Sequence, residues 1–213
     1  SVSRGLGDVY KRQSRAGGVV VGEDLGVVPA YVSKSLSEHG ILGCAVEWFE
    51  QFDGEFRAPK DWRPYALASV NTHDLPPAAG YLEYGHVKLR EQLGLLSGPV
   101  EEFQKSAEAE HNAMLSMLVD EGYLDASALE DELANENEII DALYRGLKGS
   151  PCKLMAASIV DAVGEKRTQN QPGTSNEYPN WRIPLADGDG NVVPLEQLFD
   201  NTRLQEIAAI MRG

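Results

Sequence analysis

Short apolar runs alternate with helical periodicity along the first hundred residues. The run at 18–22, with three consecutive valines between glycines, is typical of a strand buried on both faces of a parallel sheet. Residues 29–40 predict a helix with a proline in its first turn and a glycine just past its end. Further apolar runs at 44–49 and 66–70 predict the next strands. This alternation predicts an α/β fold with a parallel sheet.

From residue 100 onward, apolar residues recur at mainly helical spacings. A first stripe runs to residue 118, and a second covers 139–147 before a Gly-Ser-Pro sequence stops the helix. The tetrapeptide Ser-Ala-Leu-Glu at 127–130 has the pattern of a capping box. We therefore predict a helical insertion over 96–150, following strand–helix units over 14–95.

The remaining segment, 151–213, begins with a fourth apolar run at 154–160, which predicts another buried strand. Residues 164–191 are rich in Gly, Pro and Asn and predict a long loop, and loops of this length in compact domains are usually functional or disordered. Two short helices are predicted to follow, the second capped by Thr202.

The first 13 residues, SVSRGLGDVYKRQ, lack a clear periodicity. They resemble a translated sequencing-adapter junction more than a protein segment. We set 1–13 apart from the fold prediction as a non-native leader.

Composition and charge narrow the class of protein. The chain is 42% hydrophobic and 24% charged, which is ordinary for a soluble globular protein. A net charge of −14 disfavours nucleic acids and anionic membranes as partners. The sequence has neither the roughly 20-residue apolar run of a membrane span nor a signal peptide. Cys44 and Cys152 lack metal-ligand spacing, which favours two reduced thiols in a cytoplasmic protein.

Acidic residues follow two of the predicted strands. Glu23 and Asp24 come after the first strand, and His73 and Asp74 come after the third. Because the carboxyl ends of parallel strands share one edge, these groups should converge on one crevice, and paired carboxylates there suit glycosidic chemistry. The alternatives are that Asp24 caps the following helix beside a solvated Glu23, and that His73 is buried against its neighbour.

Three motifs, GEDLGVVP, SVNTHDLPPAAGYL and QNQPGTSNEYPNWRIPL, occur in this order. Together they resemble the C-terminal half of the bacterial 4-α-glucanotransferases, the amylomaltase family of the α-amylase clan. The resemblance runs from about residue 14 to the end. It implies the C-terminal half of a (β/α)8 TIM barrel with a helical insertion. It also implies transfer of α-1,4-glucan segments from a maltooligosaccharide donor to an acceptor through a covalent glycosyl-enzyme intermediate, with no metal or organic cofactor.

The resemblance also implies catalytic roles for three residues. Glu23 matches the general acid/base, which must be protonated near neutral pH and so requires a partly desolvated site near other carboxylates. Asp74 matches the third acid of the clan, which holds sugar hydroxyls and distorts the ring. His73 would donate a hydrogen bond to the same sugar.

Sugar-binding residues follow from the same comparison. Asn170 matches an asparagine that lines the sugar groove. Trp48 and Phe49 could stack on a glucose face, although a buried aromatic pair is the alternative. Trp181 and Arg182 are interpreted as fastening the long loop.

One element of the family pattern is missing. The family nucleophile is the aspartate of an Arg-x-Asp-His motif upstream of the acid/base strand, and this sequence contains no such motif. Four candidate strands are also too few for an eight-stranded barrel. We therefore expect a fragment whose partner is the missing N-terminal half of the same chain. An α-amylase-type hydrolase and a non-catalytic glucan-binding module are the alternatives, and the Pro-Gly-Thr and Asn-Trp-Arg loop favours the transferase.

Overall fold

The computed structural model describes residues 2–25 and 28–213 of the 213-residue chain. Its helices in chain order are α1 (Val2–Ala16), α2 (Ala30–Glu38), α3 (Ala78–Leu82), α4 (Gly85–Gln92), α5 (Val100–Asp120), α6 (Glu136–Gly149), α7 (Ile159–Val163), α8 (Leu195–Leu198) and α9 (Thr202–Arg212). Its strands are β1 (Gly43–Val46), β2 (Gln51–Phe52), β3 (Glu55–Phe56), β4 (Ala66–Ser69) and β5 (Leu154–Ala156). Short 3-10 turns lie at Glu47–Phe49, Pro59–Asp61 and Ala126–Glu130.

The central sheet is parallel, as the alternating pattern predicts. Its strand order is β1-β4-β5, and Val21 adds a single parallel bridge to Leu42 next to β1. Strands β2 and β3 form a separate two-residue hairpin. The carboxyl ends of β1, β4 and β5 therefore lie at one edge of the sheet.

Every predicted strand is longer than the strand observed. The run at 18–22 contributes only the bridge at Val21. The second strand ends at Val46 because the next three residues form a 3-10 turn, and the fourth ends at Ala156, with two residues between it and α7. Trp48 in the turn after β1 is as buried as the strand itself, so hydrophobicity alone does not mark where that strand ends. The predicted burial of the first and fourth runs is wrong, because Val19, Leu154 and Ile159 are 62%, 41% and 49% exposed.

The capping residue predicted at two helical starts is wrong in both cases. Asp125, not Ser127, caps the 3-10 turn at 126–130, since its Oδ1 accepts a hydrogen bond from the Ser127 N–H at 2.8 Å. Asn201, not Thr202, caps α9 through a 2.9 Å bond from the Leu204 N–H to its Oδ1. In both cases an Asx residue just upstream is the better N-cap.

Most of the segment set apart, 1–13, lies in helix α1. Gln13 connects this helix to the rest of the chain. Its side-chain oxygen accepts a hydrogen bond from the Val20 N–H at 3.0 Å, and its amide nitrogen donates to the Gly40 carbonyl at 3.2 Å.

The long helices α5 and α6 share a core with the sheet. Fully buried residues of these helices form one cluster with small residues of β1 and β4, namely Met114, Leu118, Ile140, Leu143, Ala45, Ala66 and Ala68. None of the described helices is long and apolar enough to cross a membrane.

Glu47 is an acid inside this apolar layer. Its side chain is 0% exposed, and neither carboxylate oxygen has a hydrogen-bond partner. Burial, with a smaller contribution from the charge of Glu50, raises the pKa of Glu47 from 4.5 to about 8. Between pH 4.5 and about pH 8, the folded state therefore keeps a proton on Glu47 that the unfolded chain has released.

Glu47 should make stability fall as pH rises. Because the folded pKa is raised, the contribution is fully present below pH 4.5 and is lost as the pH rises through about 8. Between pH 5 and pH 8 the ionisation of Glu47 should lower the free energy of unfolding by about 3–4 kcal/mol, and Glu47→Gln is expected to remove this fall. Unfolding midpoints of wild type and Glu47→Gln, measured across this pH range, check the prediction. The same change of stability with pH in both proteins would contradict it.

Candidate functional site

The loop after β4 carries the predicted His73 and Asp74. Asp74 Oδ1 accepts a hydrogen bond from Asn170 Nδ2 at 2.7 Å and lies 3.4 Å from His73 Nε2. The Asn170 N–H also donates to the His73 carbonyl at 3.0 Å. The structure thus brings three of the predicted site residues together. The His73 and Asp74 side chains are 54% and 45% exposed, so a ligand can reach both.

Trp181 joins this cluster. Its ring lies 5.0 Å from the His73 ring, centroid to centroid, and its side chain is 65% exposed. The Trp181 backbone is left-handed, with φ +62°, and its N–H donates to the Gln169 carbonyl at 3.0 Å. Its backbone therefore fastens the loop as predicted, but its indole stands beside the site. The Asn-Trp-Arg sequence could have indicated this, since an exposed aromatic ring suits the face of a sugar.

The long loop is held by its own hydrogen bonds. The Glu165 carboxylate is buried and accepts bonds from the backbone N–H groups of Lys166, Arg167 and Ala186 and from the Arg167 guanidinium. Burial favours a higher pKa for Glu165, but these bonds and the Arg167 charge outweigh it and lower the pKa. Further along, Asn180 Oδ1 accepts a bond from the Gln171 N–H at 2.7 Å. Asn170 is therefore presented from an ordered loop.

Asp24 is a structural anchor. Its side chain is 1% exposed and pairs with Arg63, with Nη1–Oδ2 at 2.5 Å and Nη2–Oδ1 at 2.7 Å. It also accepts bonds from the Cys44 N–H and the Ser33 hydroxyl. Burial favours a higher pKa, but the Arg63 and Cys44 bonds lower it overall. The capping alternative for Asp24 is wrong, because the N-cap of α2 is Pro29 and no side chain caps that helix.

Glu23 stands beside this anchor with an exposed side chain. Within the described ranges it forms no hydrogen bond or ion pair. The general acid/base role predicted for Glu23 requires a partly desolvated carboxyl, and the described residues leave this side chain exposed. The buried pair next to it fixes the backbone from which Glu23 projects.

The two adjacent aromatic residues have different surroundings. Trp48 is 5% exposed, donates its indole N–H to the Pro76 carbonyl at 3.2 Å and stacks on Tyr81 with ring centroids 4.0 Å apart. Phe49 is 50% exposed. The buried alternative therefore describes Trp48, whereas Phe49 is open to a ligand.

Asp74, Trp48 and Phe49 line one groove of about 760 Å³. Helix α5 and the long loop form other parts of its wall, including Phe103, Glu110 and Gln171. Tyr81, at the base of the groove, donates its hydroxyl to Glu110 Oε1 at 2.8 Å. Burial, followed by the Glu110 charge, raises the pKa of Tyr81. The volume of the groove and its mixture of aromatic and polar side chains suit a small organic ligand.

A metal centre is not indicated by the described side chains. Across residues 2–25 and 28–213, no three His, Cys, Asp or Glu residues are grouped so that they could hold a metal ion. Cys44 and Cys152 are free thiols. The polar groups that the structure places together at the site are the imidazole of His73, the carboxylate of Asp74 and the amide of Asn170.

Comparison with known proteins matches this chain to 4-alpha-glucanotransferases and amylomaltases. The profile of the 4-alpha-glucanotransferase family matches residues 4–188, including most of the segment set apart as a leader. The 4-alpha-glucanotransferase of Mycobacterium bovis is 46% identical over 213 residues, covering 98% of this chain and 29% of that protein. The Haemophilus influenzae 4-alpha-glucanotransferase is 31% identical over 190 residues, covering 88% of this chain and 26% of that protein.

Solved structures agree. The crystal structure of amylomaltase from Corynebacterium glutamicum matches with a TM-score of 0.84 and 39% identity, over 92% of this chain and 29% of that one. Amylomaltase from Streptococcus agalactiae, in complex with acarbose, shares the fold with a TM-score of 0.57 at 16% identity, over 96% of this chain and 34% of that one. The chain belongs to the 4-alpha-glucanotransferase family. It spans less than a third of the length of the curated relatives it matches.

Proposed function

We propose that this chain is the C-terminal part of a longer cytoplasmic 4-α-glucanotransferase, which moves α-1,4-glucan segments between maltooligosaccharides. The observation that carries the proposal is the His73–Asp74–Asn170 cluster at the carboxyl end of a parallel strand, in a chain of this family. Its accessible, hydrogen-bonded polar groups suit a ligand rich in hydroxyl groups.

The parallel strands suit the C-terminal half of a (β/α)8 barrel. Val21, β1, β4 and β5 supply four successive parallel positions, and such barrels have eight. Apolar side chains are exposed near both outer strands, with Val19 62% and Leu154 41% exposed. We infer that the rest of the longer chain pairs with these edges and covers them.

The proposed reaction is a retaining double displacement. Glu23 protonates the departing glycosidic oxygen while a carboxylate outside this chain attacks the anomeric carbon and forms a covalent ester. Glu23 then takes the proton from the acceptor hydroxyl, whose oxygen attacks the anomeric carbon, releases the enzyme carboxylate and forms the new glycosidic bond. Asp74 and His73 hold hydroxyls of the reacting sugar, and no metal or organic cofactor takes part. The desolvation that Glu23 needs comes from the longer chain and bound glucan.

The groove supplies the path for the glucan. Phe49, in its wall, offers an exposed ring for stacking on a sugar face, and Asp74 offers a carboxylate to sugar hydroxyls. Asn170, hydrogen-bonded to Asp74, offers an amide beside the groove. Trp48, whose indole is already stacked on Tyr81, supports the wall of the groove.

Product analysis tests this function in the longer enzyme. Incubation with maltotriose should yield glucose and a ladder of longer maltooligosaccharides. Shortened products without longer ones would favour an α-amylase-type hydrolase. Maltotriose that is bound but unchanged would favour a glucan-binding module.

The roles of His73 and Asp74 give a separate prediction. His73→Ala and Asp74→Ala should each lower kcat/KM for maltotriose at least tenfold, because groups that grip the distorted sugar bind the transition state more tightly than the ground state. Steady-state kinetics of each variant check this. Asp120→Ala, which removes an exposed carboxylate at the far end of α5, is the control and should behave as wild type. Normal turnover by the Asp74 variant would make its carboxylate a purely structural group.

A further inference from the structure

Asp161, in the short helix α7, is a buried acid outside the groove. Its side chain is 1% exposed, and its carboxylate receives hydrogen bonds from three groups. Asn71 Nδ2 donates to both oxygens at 2.8 and 2.9 Å, the Ala78 N–H donates to Oδ1 at 2.7 Å, and the Tyr144 hydroxyl donates to Oδ2 at 2.6 Å.

Two of these donors bracket the site loop. Asn71 lies two residues before His73, and Ala78 lies four residues after Asp74. One carboxylate therefore holds both ends of the segment that carries the imidazole and the acid. Asn71 and Ala78 are buried, whereas the His73 and Asp74 side chains between them are about half exposed, so the loop is held at its ends and open at its tip.

The chemistry of the contacts requires an acceptor at position 161. The Asn71 amide nitrogen, the Ala78 N–H and the Tyr144 hydroxyl all point hydrogens at it, which suits a carboxylate with several lone pairs. An asparagine at position 161 would replace one acceptor oxygen by an NH2 group, which would face donors of the same kind. Tyr144 in turn accepts a bond from the Ser158 N–H at 3.1 Å, which extends the network to the residue that precedes α7.

We propose that Asp161 is a positioning residue for the transferase reaction. It holds the loop at 71–78 so that the His73 and Asp74 side chains are correctly placed to contact the reacting sugar. It acts through Asn71 and Ala78 and touches no substrate. This inference rests on the function proposed above. Misplacing a catalytic loop by even 1 Å can reduce rate about a hundredfold, so the clamp should be visible in kinetics.

The test uses Asp161→Asn in the longer enzyme, assayed well below the unfolding midpoint of each protein. We expect kcat/KM for maltotriose to fall at least tenfold, with most of the loss in kcat, since the loop grips the distorted sugar. Tyr144→Phe is the matched control: it removes one hydrogen bond from the same carboxylate but leaves both links to the loop. It should lower the unfolding midpoint and keep kcat/KM within about threefold of wild type.

Rescue gives a second readout. In the double variant Asn71→Asp/Asp161→Asn the donor and acceptor exchange places, and kcat/KM should recover at least threefold over Asp161→Asn. If Asp161→Asn does not fold, Asn71→Ala breaks the same link from the loop side and should show the same kinetic loss.

Hydrogen exchange separates failure of this inference from failure of the proposed function, because it does not depend on turnover. Backbone amides of residues 72–75 should exchange faster in Asp161→Asn, or in Asn71→Ala, than in Tyr144→Phe. If wild type makes no oligosaccharide ladder, the proposed function fails. If exchange of the 72–75 amides is unchanged in Asp161→Asn and Asn71→Ala, Asp161 does not hold the loop and this inference is overturned. If wild type is active and the folded Asp161 variant matches it, or Tyr144→Phe loses as much activity, the positioning role is overturned alone.

Discussion

Expressed by itself, the 213-residue chain should release no glucose from maltotriose and should aggregate. Retaining transfer needs two carboxylates about 5–5.5 Å apart, and the sequence contains no Arg-x-Asp-His motif to supply the nucleophile. Near the sheet edges, Val19, Leu154 and Ile159 expose 62%, 41% and 49% of their surface. Open edges with apolar neighbours favour association with other chains.

Glucose release and light scattering measure both parts of this prediction. The longer enzyme under identical conditions is the control and should be active and remain in solution. A monomeric, active preparation of the isolated chain would overturn both the fragment interpretation and the placement of the nucleophile outside it.

Glu23→Gln in the longer enzyme should reduce turnover of maltotriose by at least about a hundredfold. Glutamine keeps the size of the side chain but cannot give a proton to the departing oxygen or take one from the acceptor. A donor with a good leaving group, such as α-maltosyl fluoride, needs no proton for bond cleavage. Its first step should therefore be affected much less.

Burst kinetics with both donors separate these cases. Glu38→Gln is a suitable control because Glu38 is also exposed, and among the described residues its only ion pair is an i,i+4 contact with Lys34 on α2. It should match wild type with either donor. Equal losses for maltotriose and the fluoride in Glu23→Gln would count against this residue as the acid.

Local sequence patterns foresee the layout of the fold better than its element ends. The periodicity at 100–118 and 139–147 predicts α5 and α6, and the short apolar runs predict a parallel sheet. The turn at Glu47–Phe49 escapes prediction because Glu47 and Trp48 are buried in it, as residues of a strand would be.

Within the site, motifs foresee the exposed groups but not those that hold them. His73, Asp74 and Asn170 belong to recognisable motifs, and the structure places them together. The partner of Asp24 is Arg63, 39 residues away, and that of Asn71 is Asp161, 90 residues away. Pairings of this kind depend on tertiary packing, for which a single sequence carries no local signal.

Trapping the covalent intermediate would locate the nucleophile of the proposed double displacement. The Glu23→Gln variant of the longer enzyme would be treated with α-maltosyl fluoride, digested and mapped by mass spectrometry. The label should lie on a carboxylate upstream of this chain, and every peptide from residues 1–213 should be free of it. A label on Asp74 or another carboxylate within these residues, or the absence of any label, would contradict the account.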